Sequence, residues 1–209
     1  MHMGDDTVTI IDYGMGNIGS LENMVERVGG KVAVARTREE LMAAQKLILP
    51  GVGAFDNGMK RLDELGLAEA LSQKVFFEKV PLLGICLGMQ LLTKGSEEGA
   101  LPGLGLIDAK TVMFRLSDPS LRVPHMGWNE VSVKKESPLF FEMPPEPSFY
   151  FVHSYYVVCE SASDVLTTTR YGLEFVSSIQ KGNVFATQFH PEKSHKFGKR
   201  LVQNFVERA

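Results

Sequence analysis

Two short segments of this chain carry residue types capable of covalent chemistry. The first is Gly84-Ile85-Cys86-Leu87-Gly88-Met89-Gln90. An apolar run leads into the cysteine and a helix-compatible run leaves it. A nucleophile at a strand-to-helix turn between glycines has the logic of a nucleophile elbow. The turn is tight, and only residues without Cβ let strand and helix close up. A helix beginning after Cys86 aims amides at the sulfur, where they favour thiolate and can also donate to an oxyanion. The second segment is Gln188-Phe189-His190-Pro191-Glu192-Lys193-Ser194. A buried strand running into His190 puts Glu192 on the same extended face, with Cβ atoms about 6–7 Å apart. Glu192 can then hold one imidazole nitrogen while the other reaches Cys86, the relation of nucleophile, base and orienter. Taken singly, each segment has a plainer reading: a small core cysteine, or a surface histidine beside a solvated glutamate. A third segment, Pro50-Gly51-Val52-Gly53-Ala54-Phe55, follows another apolar run. Its glycines let backbone amides turn toward an anionic oxygen, although an ordinary strand-to-helix turn reads the same way.

The elements around these segments explain how they could meet. Val8 to Ile11, Val32 to Val34, Lys46 to Leu49 and Val80 to Ile85 read as buried strands. Between them lie a helix from an Asn17 cap to about Val28, a capping box at Thr37 and Glu40, and helical sequence from Ala54 to Glu78 broken near Gly66. Alternation of near-continuous apolar strands with helices predicts a parallel sheet covered on both faces. Ligands bind at the C-terminal edge of such a sheet, where all three segments emerge. From Ile107 to Tyr171 the sequence changes to short strands with Pro and Gly turns, at Asn129–Val133, Ser148–Val152, Tyr155–Val158 and Val165–Thr169. This predicts an antiparallel extension, with Trp128 in a short loop. Val184 to Phe189 returns as a buried strand, and Phe197 to Arg208 closes as an amphipathic helix. The simplest account is one α/β domain over residues 1–209.

Composition narrows the function. The 209 residues carry a formal charge of −3, with 44% hydrophobic and 22% charged residues. That is ordinary globular composition, and it argues against a basic nucleic-acid binder. No run reaches the ~20 apolar residues of a membrane span. Met1 to Asp6 has neither a basic n-region nor an apolar h-region, so no secretory signal is expected. Cys86 and Cys159 make no disulfide framework, which suits a reducing cytoplasm. No P-loop, dinucleotide fingerprint or zinc pattern is present, so no cofactor and no metal are expected. The order of residues is also informative. An α/β-hydrolase places its acid well before the histidine, and a papain-like protease places its cysteine near the mature N-terminus with an Asn partner. Neither fits.

Together the three segments resemble the class I, or triad-type, glutamine amidotransferases. More narrowly, Asp12-Tyr13-Gly14-Met15-Gly16-Asn17, Pro124-His125-Met126-Gly127-Trp128-Asn129, Tyr150-Phe151-Val152-His153-Ser154-Tyr155 and Lys193-Ser194 resemble the glutaminase subunits of imidazole glycerol phosphate synthases. These blocks span Asp12 to Ser194. The resemblance implies a flavodoxin-like core: a mostly parallel open sheet with helices on both faces and a smaller antiparallel extension. It implies that Cys86 attacks the glutamine side-chain amide, that His190 moves the protons and that Glu192 orients His190. Val52, Gly53 and Leu87 would form the oxyanion hole. Gly51, Gly53, Gln90, Tyr150, His153 and Ser154 would hold L-glutamine. The chain leaves no length for an ammonia-using domain, so a separate (β/α)₈-barrel cyclase is the implied partner. Asn17, Trp128, Asn129 and Lys193 are placed at the docking face, where the Asp12–Asn17 loop and Val52 would adjust on docking. Trp128 could equally be a core tryptophan, and Cys159 reads as structural. Gly95 to Gly99 reads as a solvated loop at the pocket rim. Related readings are a glutaminase for pyridoxal phosphate synthesis, against which the Trp128 block and Lys193-Ser194 argue, and one that feeds a surface-sugar amidotransferase. A docking subunit without activity is opposed by the intact Cys86, His190 and Glu192.

Overall fold

Apolar runs too short and too continuous for helices become the middle of one sheet. The computed structural model describes residues 7–209; the expectation made for Met1 to Asp6 lies outside them. Strands β1 (Thr7–Ile11), β2 (Lys31–Ala35), β3 (Leu47–Leu49) and β4 (Leu82–Ile85) pair in parallel in the order β2-β1-β3-β4. A late strand, β12 (Val184–Thr187), adds in parallel to β4. Alternate residues serve opposite faces, as the period of two requires. Ile10, Ile48, Leu83, Ile85 and Phe185 share a core with Leu21 and Val25 of α1 (Ile18–Arg27) and Leu201, Val202 and Phe205 of α6 (His195–Arg208). Ile11, Leu47, Leu49, Leu82 and Val184 share the other with Phe55 and Leu62 of α3 (Phe55–Glu64) and Leu67 and Leu71 of α4 (Leu67–Phe76).

The helix signals act as read. The Asn17 side chain accepts from the Ser20 amide, and both halves of the Thr37–Glu40 capping box form on α2 (Arg38–Met42). The break between α3 and α4 falls at Gly66, in the left-handed region at φ 66°.

The antiparallel part consists of β5 (Ala109–Met113), β6 (His125–Glu130), β7 (Ser132–Val133), β8 (Ser148–His153), β9 (Tyr155–Cys159), β10 (Val165–Tyr171) and β11 (Leu173–Lys181). It continues the parallel core edge to edge as β12-β11-β10-β7, with β9 joined to β11 and β5; β6 and β8 form a separate ribbon. Four points of the sequence reading need correction. The nine-residue β11 had no strand signal, because Glu174, Ser177, Ser178 and Gln180 interrupt its apolar pattern. Its buried serines are satisfied instead by the Thr167 hydroxyl, 2.7 Å from each. Trp128 sits in strand β6 opposite Tyr150, not in a loop. Gly127 and Asn129 beside it are poor strand formers and hide the strand, and the run expected from Asn129 to Val133 is split between β6 and β7. Finally, β12 stops at Thr187, two residues short of Phe189.

Candidate functional site

Register decides what meets at the sheet edge. Leu49 pairs with Gly84, and Ile85 pairs with Thr187. The chain therefore leaves three neighbouring strands at one level, through Pro50, Cys86 and Gln188. The Cys86 amide donates to the Thr187 carbonyl at 2.8 Å, and the chain turns at once into the short helix α5 (Leu87–Leu91). That turn puts Cys86 at φ 55° and ψ −110°, a conformation costing a non-glycine residue about 1–3 kcal/mol. Its glycine neighbours are needed for close approach. A Cβ on Gly88 would lie 1.9 Å from the Leu49 carbonyl oxygen, and one on Gly84 would lie 2.8 Å from Leu92 Cδ1.

The His190 amide donates to the Tyr150 carbonyl at 2.9 Å, which ties it to β8. Pro191–Lys193 then form a 3₁₀ turn. This turn, rather than the extended spacing expected, brings His190 Nδ1 within 2.7 Å of Glu192 Oε1. Both side chains are almost wholly out of solvent, at 2% and 3% exposure. His190 Nε2 has no partner that meets hydrogen-bond geometry, yet the Cys86 thiol is close enough to bear on its charge. Burial pulls the imidazole toward its neutral form. Cys86 and Glu192 more than offset that and lift its pKa from 6.5 to about 9. An imidazole so placed is a ready acceptor for a proton leaving the sulfur.

These groups open onto a cavity of about 340 Å³. Val52, Gly53, Leu87, Gln90, His153, Ser154 and Lys193 line it along with Cys86 and His190. Gly51 and Tyr150, expected at the substrate, do not. Gly51 packs beneath, where a Cβ would lie 2.6 Å from the Tyr13 hydroxyl. The Tyr150 ring sits between Trp128, edge-on at 6.4 Å, and the Lys193 ammonium at 5.9 Å. The Leu87 amide, expected at the oxyanion, donates to the Gly51 carbonyl at 3.3 Å and is engaged there. The reading of the Gly95–Gly99 loop missed Glu98. Its carboxylate accepts from the Phe55 amide at 2.9 Å and lines the cavity. Its only sequence signal was an acid in a glycine-flanked loop after the Cys86 helix.

Behind the cavity lies a buried polar chain. Asn129 Nδ2 meets the Arg170 carbonyl at 3.0 Å and His125 Nε2 at 3.3 Å. His125 Nδ1 meets His153 Nε2 at 3.0 Å, and His153 Nδ1 meets the Tyr155 carbonyl at 2.7 Å. A carbonyl only accepts, so His153 donates from Nδ1 and His125 donates to His153. Each ring therefore carries one proton. Burial agrees, holding His125 at a pKa of about 4 and His153 at about 3. Asn129, expected at a docking face, is partly buried and engages its amide with the Arg170 carbonyl and His125. Asn17 spends its side chain on the α1 cap. Trp128 remains 47% exposed, stacked flat on His195 at 5.1 Å; Met126, two residues before it on β6, and Val52 on the cavity rim are exposed as well. Cys159 is half-buried, with its thiol pushed up to about 12 by burial, and takes no part in the cavity. Among the described residues, no cluster of three His, Cys, Asp or Glu side chains could hold a metal ion.

A thiol, an imidazole and a carboxylate in this order, on the C-terminal edge of a doubly covered parallel sheet, make an α/β enzyme built for acyl transfer through sulfur. Comparison with known proteins gives the particular kind. The family model of class-I glutamine amidotransferases matches residues 9–209. The imidazole glycerol phosphate synthase subunit HisH 2 of Methanococcus maripaludis is 54% identical over 97% of this chain and 100% of its own length. HisH 2 of Pseudomonas aeruginosa is 50% identical over 96% and 98%, and HisH of Bdellovibrio bacteriovorus 47% over 96% and 99%. The structure of PurLQS from Thermotoga maritima superposes with a TM-score of 0.72 at 17% identity, over 96% of this chain and 97% of the matched one. A structure described as a glutamine amidotransferase gives 0.71 at 23% identity, with the same coverage. The chain belongs to the class-I glutamine amidotransferase family and, within it, to the HisH subunits.

Proposed function

We propose that this chain hydrolyses the side-chain amide of L-glutamine to glutamate and ammonia and hands the ammonia to a separate cyclase subunit. The observation that carries this reading is the buried line from the Cys86 thiol through His190 to Glu192 at the cavity floor. In this reading Cys86 gives its proton to His190 and attacks the amide carbon. The tetrahedral intermediate collapses to a γ-glutamyl thioester as His190 passes that proton to the departing ammonia. His190 then takes a proton from water, the resulting hydroxide attacks the thioester, and the thiol is restored. Glu192 keeps the ring oriented and compensates its charge. Glu98 suits the α-ammonium of the substrate, and Gln90, Gly53, His153 and Ser154 complete the walls.

The oxyanion needs donors from Val52, Gly53 and Leu87, each worth about 3–4 kcal/mol. The Leu87 amide is engaged by Gly51 in the present arrangement, so the 50–53 segment turns during activation. Val52 is exposed on the rim and Gly53 has φ 113°, so a docking partner can drive that turn without straining Gly53.

The partner in this reading is a (β/α)₈-barrel cyclase that uses the ammonia to make imidazole glycerol phosphate and aminoimidazole carboxamide ribonucleotide in histidine biosynthesis. The names of the relatives, the exposed Val52 on the cavity rim and the exposed Met126 and Trp128 on β6 support it. We take residues 1–209 as one amidotransferase domain acting in the cytoplasm, in keeping with two free thiols. Among the described residues no helix is long and apolar enough to cross a membrane. A second reading, in which such a subunit serves another ammonia acceptor such as a surface-sugar amidotransferase, is compatible with the numbered names of the M. maripaludis and P. aeruginosa relatives. Co-purification with a candidate cyclase and a glutamine-dependent cyclisation assay separate the two. Cys86→Ser is expected to abolish the glutamine-dependent reaction and spare the ammonia-dependent one. Ammonia release that survives Cys86→Ser overturns the thiol mechanism. An unresponsive cyclase beside a responsive sugar amidotransferase selects the second reading.

A further inference from the structure

Gln188 leaves β12 beside the Cys86 turn and is completely buried. Its amide Nε2 lies 3.8 Å from Cys86 Sγ, within range for a hydrogen bond to sulfur. Which end of an amide faces a neighbour is ambiguous unless the surroundings fix it. Here they do. The Tyr155 carbonyl can only accept, so the Gln90 atom 3.3 Å from it is nitrogen. That same nitrogen lies 3.1 Å from the outer atom of Gln188, which must therefore be its oxygen. The donor end of Gln188 is left facing the sulfur. The His153 ring, donating to the same Tyr155 carbonyl, fixes that carbonyl in place.

We propose that Gln188 is a further catalytic residue, whose side-chain N–H donates to the Cys86 sulfur and stabilises the thiolate. The proposal rests on Cys86 being the nucleophile. A neutral donor suits this position. It stabilises charge on sulfur before attack and leaves no ion behind when the thioester forms and the charge is gone. A hydrogen bond to a charged group is worth about 1.5–3 kcal/mol, so losing it costs roughly tenfold or more in thiolate population. The other ionisable groups around the sulfur are His190 with Glu192 after β12, Tyr13 after β1, His153 on β8 and, on the walls of the same cavity, Glu98, Tyr155 and Lys193. Tyr13, whose ionisation is opposed by burial and by Cys86, stays a neutral phenol.

The test is alkylation of Cys86 by iodoacetamide in a Cys159→Ser background, so that one thiol reports. Gln188→Met removes the donor at similar volume. The expected result is an alkylation rate about tenfold lower at pH 7, with a rate at pH 10 within about twofold of the parent. Glutaminase kcat/KM is expected to fall in parallel with little change in KM. Gln188→Glu keeps the shape and is expected to slow alkylation at pH 7 at least as much. In the unsubstituted protein, the ¹⁵N side-chain amide signal of Gln188 is expected to shift when Cys86 is alkylated, a readout independent of how either variant folds. An unchanged pH 7 rate in a folded variant, or an unmoved Gln188 amide signal, overturns the proposal. Alkylation reads the sulfur whatever the substrate. Failure here leaves the glutaminase reading standing, and an active Cys86→Ser variant sinks that reading without touching this measurement.

Discussion

His190 Nδ1 lies 2.7 Å from Glu192 Oε1, and the 3₁₀ turn between them leaves neither side chain more than 3% exposed. Burial lowers the proton affinity of the ring, and a carboxylate this close joins the Cys86 thiol in raising it. Glu192→Gln keeps the shape and removes the charge. Burial, the largest influence on His190, is then opposed by Cys86 alone. The His190 titration midpoint, followed by NMR, is expected to move down from about 9. Glutaminase kcat/KM is expected to fall about a hundredfold, the lower range for general acid–base catalysis. An unmoved midpoint contradicts this account.

The backbone of Cys86 makes a separate prediction. At φ 55° and ψ −110° the residue occupies a region that glycine enters freely and alanine does not. Cys86→Gly and Cys86→Ala both lose the thiol, so their difference isolates the backbone. Cys86→Gly is expected to be more stable than Cys86→Ala by about 1 kcal/mol in urea unfolding, while neither hydrolyses glutamine. Equal stabilities would show that the turn carries no strain.

These two residues also show what a sequence can and cannot disclose. The parallel strands were legible because Ile10, Ile11, Ile48, Leu83 and Ile85 are buried on both sheet faces, which forces uninterrupted apolar runs. The closeness of Cys86 and His190 followed once both were placed at ends of such strands. Strand β11 was not legible, because Ser177 and Ser178 are buried through hydroxyl partners on β10 that no local pattern announces. Asn129 was placed at the docking face by the family resemblance alone, and no local pattern announces that its amide reaches Arg170 and His125 across the fold. Glu98 went unassigned for the same reason. Its loop is polar and glycine-rich, and only tertiary packing against Phe55 turns the acid into the cavity.

Trp128 offers the sharpest test of the docking face. It is the single tryptophan, half-exposed, and its ring is held flat against His195. A rigid aromatic of this kind is a typical interface anchor. Trp128→Ala is expected to weaken binding of the cyclase by about 2 kcal/mol in calorimetry, roughly thirtyfold. The alkylation rate of Cys86 in the isolated chain is expected to stay unchanged. Intrinsic fluorescence of the unsubstituted chain, which arises from this tryptophan and the tyrosines, is expected to shift on complex formation. Binding unaffected by Trp128→Ala would move the interface elsewhere.

Stability should peak near neutral pH, because the buried histidines shift in opposite directions. His125 and His153 are held neutral by burial, at about 4 and about 3. Below pH 6.5 the unfolded chain takes up protons on both that the folded chain refuses, so stability falls as pH falls toward those values. His190 behaves oppositely. Its folded value is raised to about 9, so its contribution is complete below 6.5 and is lost as pH rises through about 9. Each histidine contributes a slope of up to about 1.4 kcal/mol per pH unit within its window. Hydrogen bonds hold the carboxyls of Asp56, Glu97, Asp108 and Asp118 below their ordinary values. Their own losses therefore begin below about pH 5, and burial of the Cys159 thiol, raised from 9.0 to about 12, adds an alkaline loss only near pH 9 and above, which leaves the range from 5 to 8.5 to the histidines. Urea midpoints across that range are expected to trace a dome with its top near pH 6.5. His153→Gln should flatten the acid limb, and Glu192→Gln should flatten the alkaline one. A level profile from pH 5 to 8.5 would mean that the three rings titrate as they do in the unfolded chain, and the polar chain behind the cavity would then have to be drawn differently.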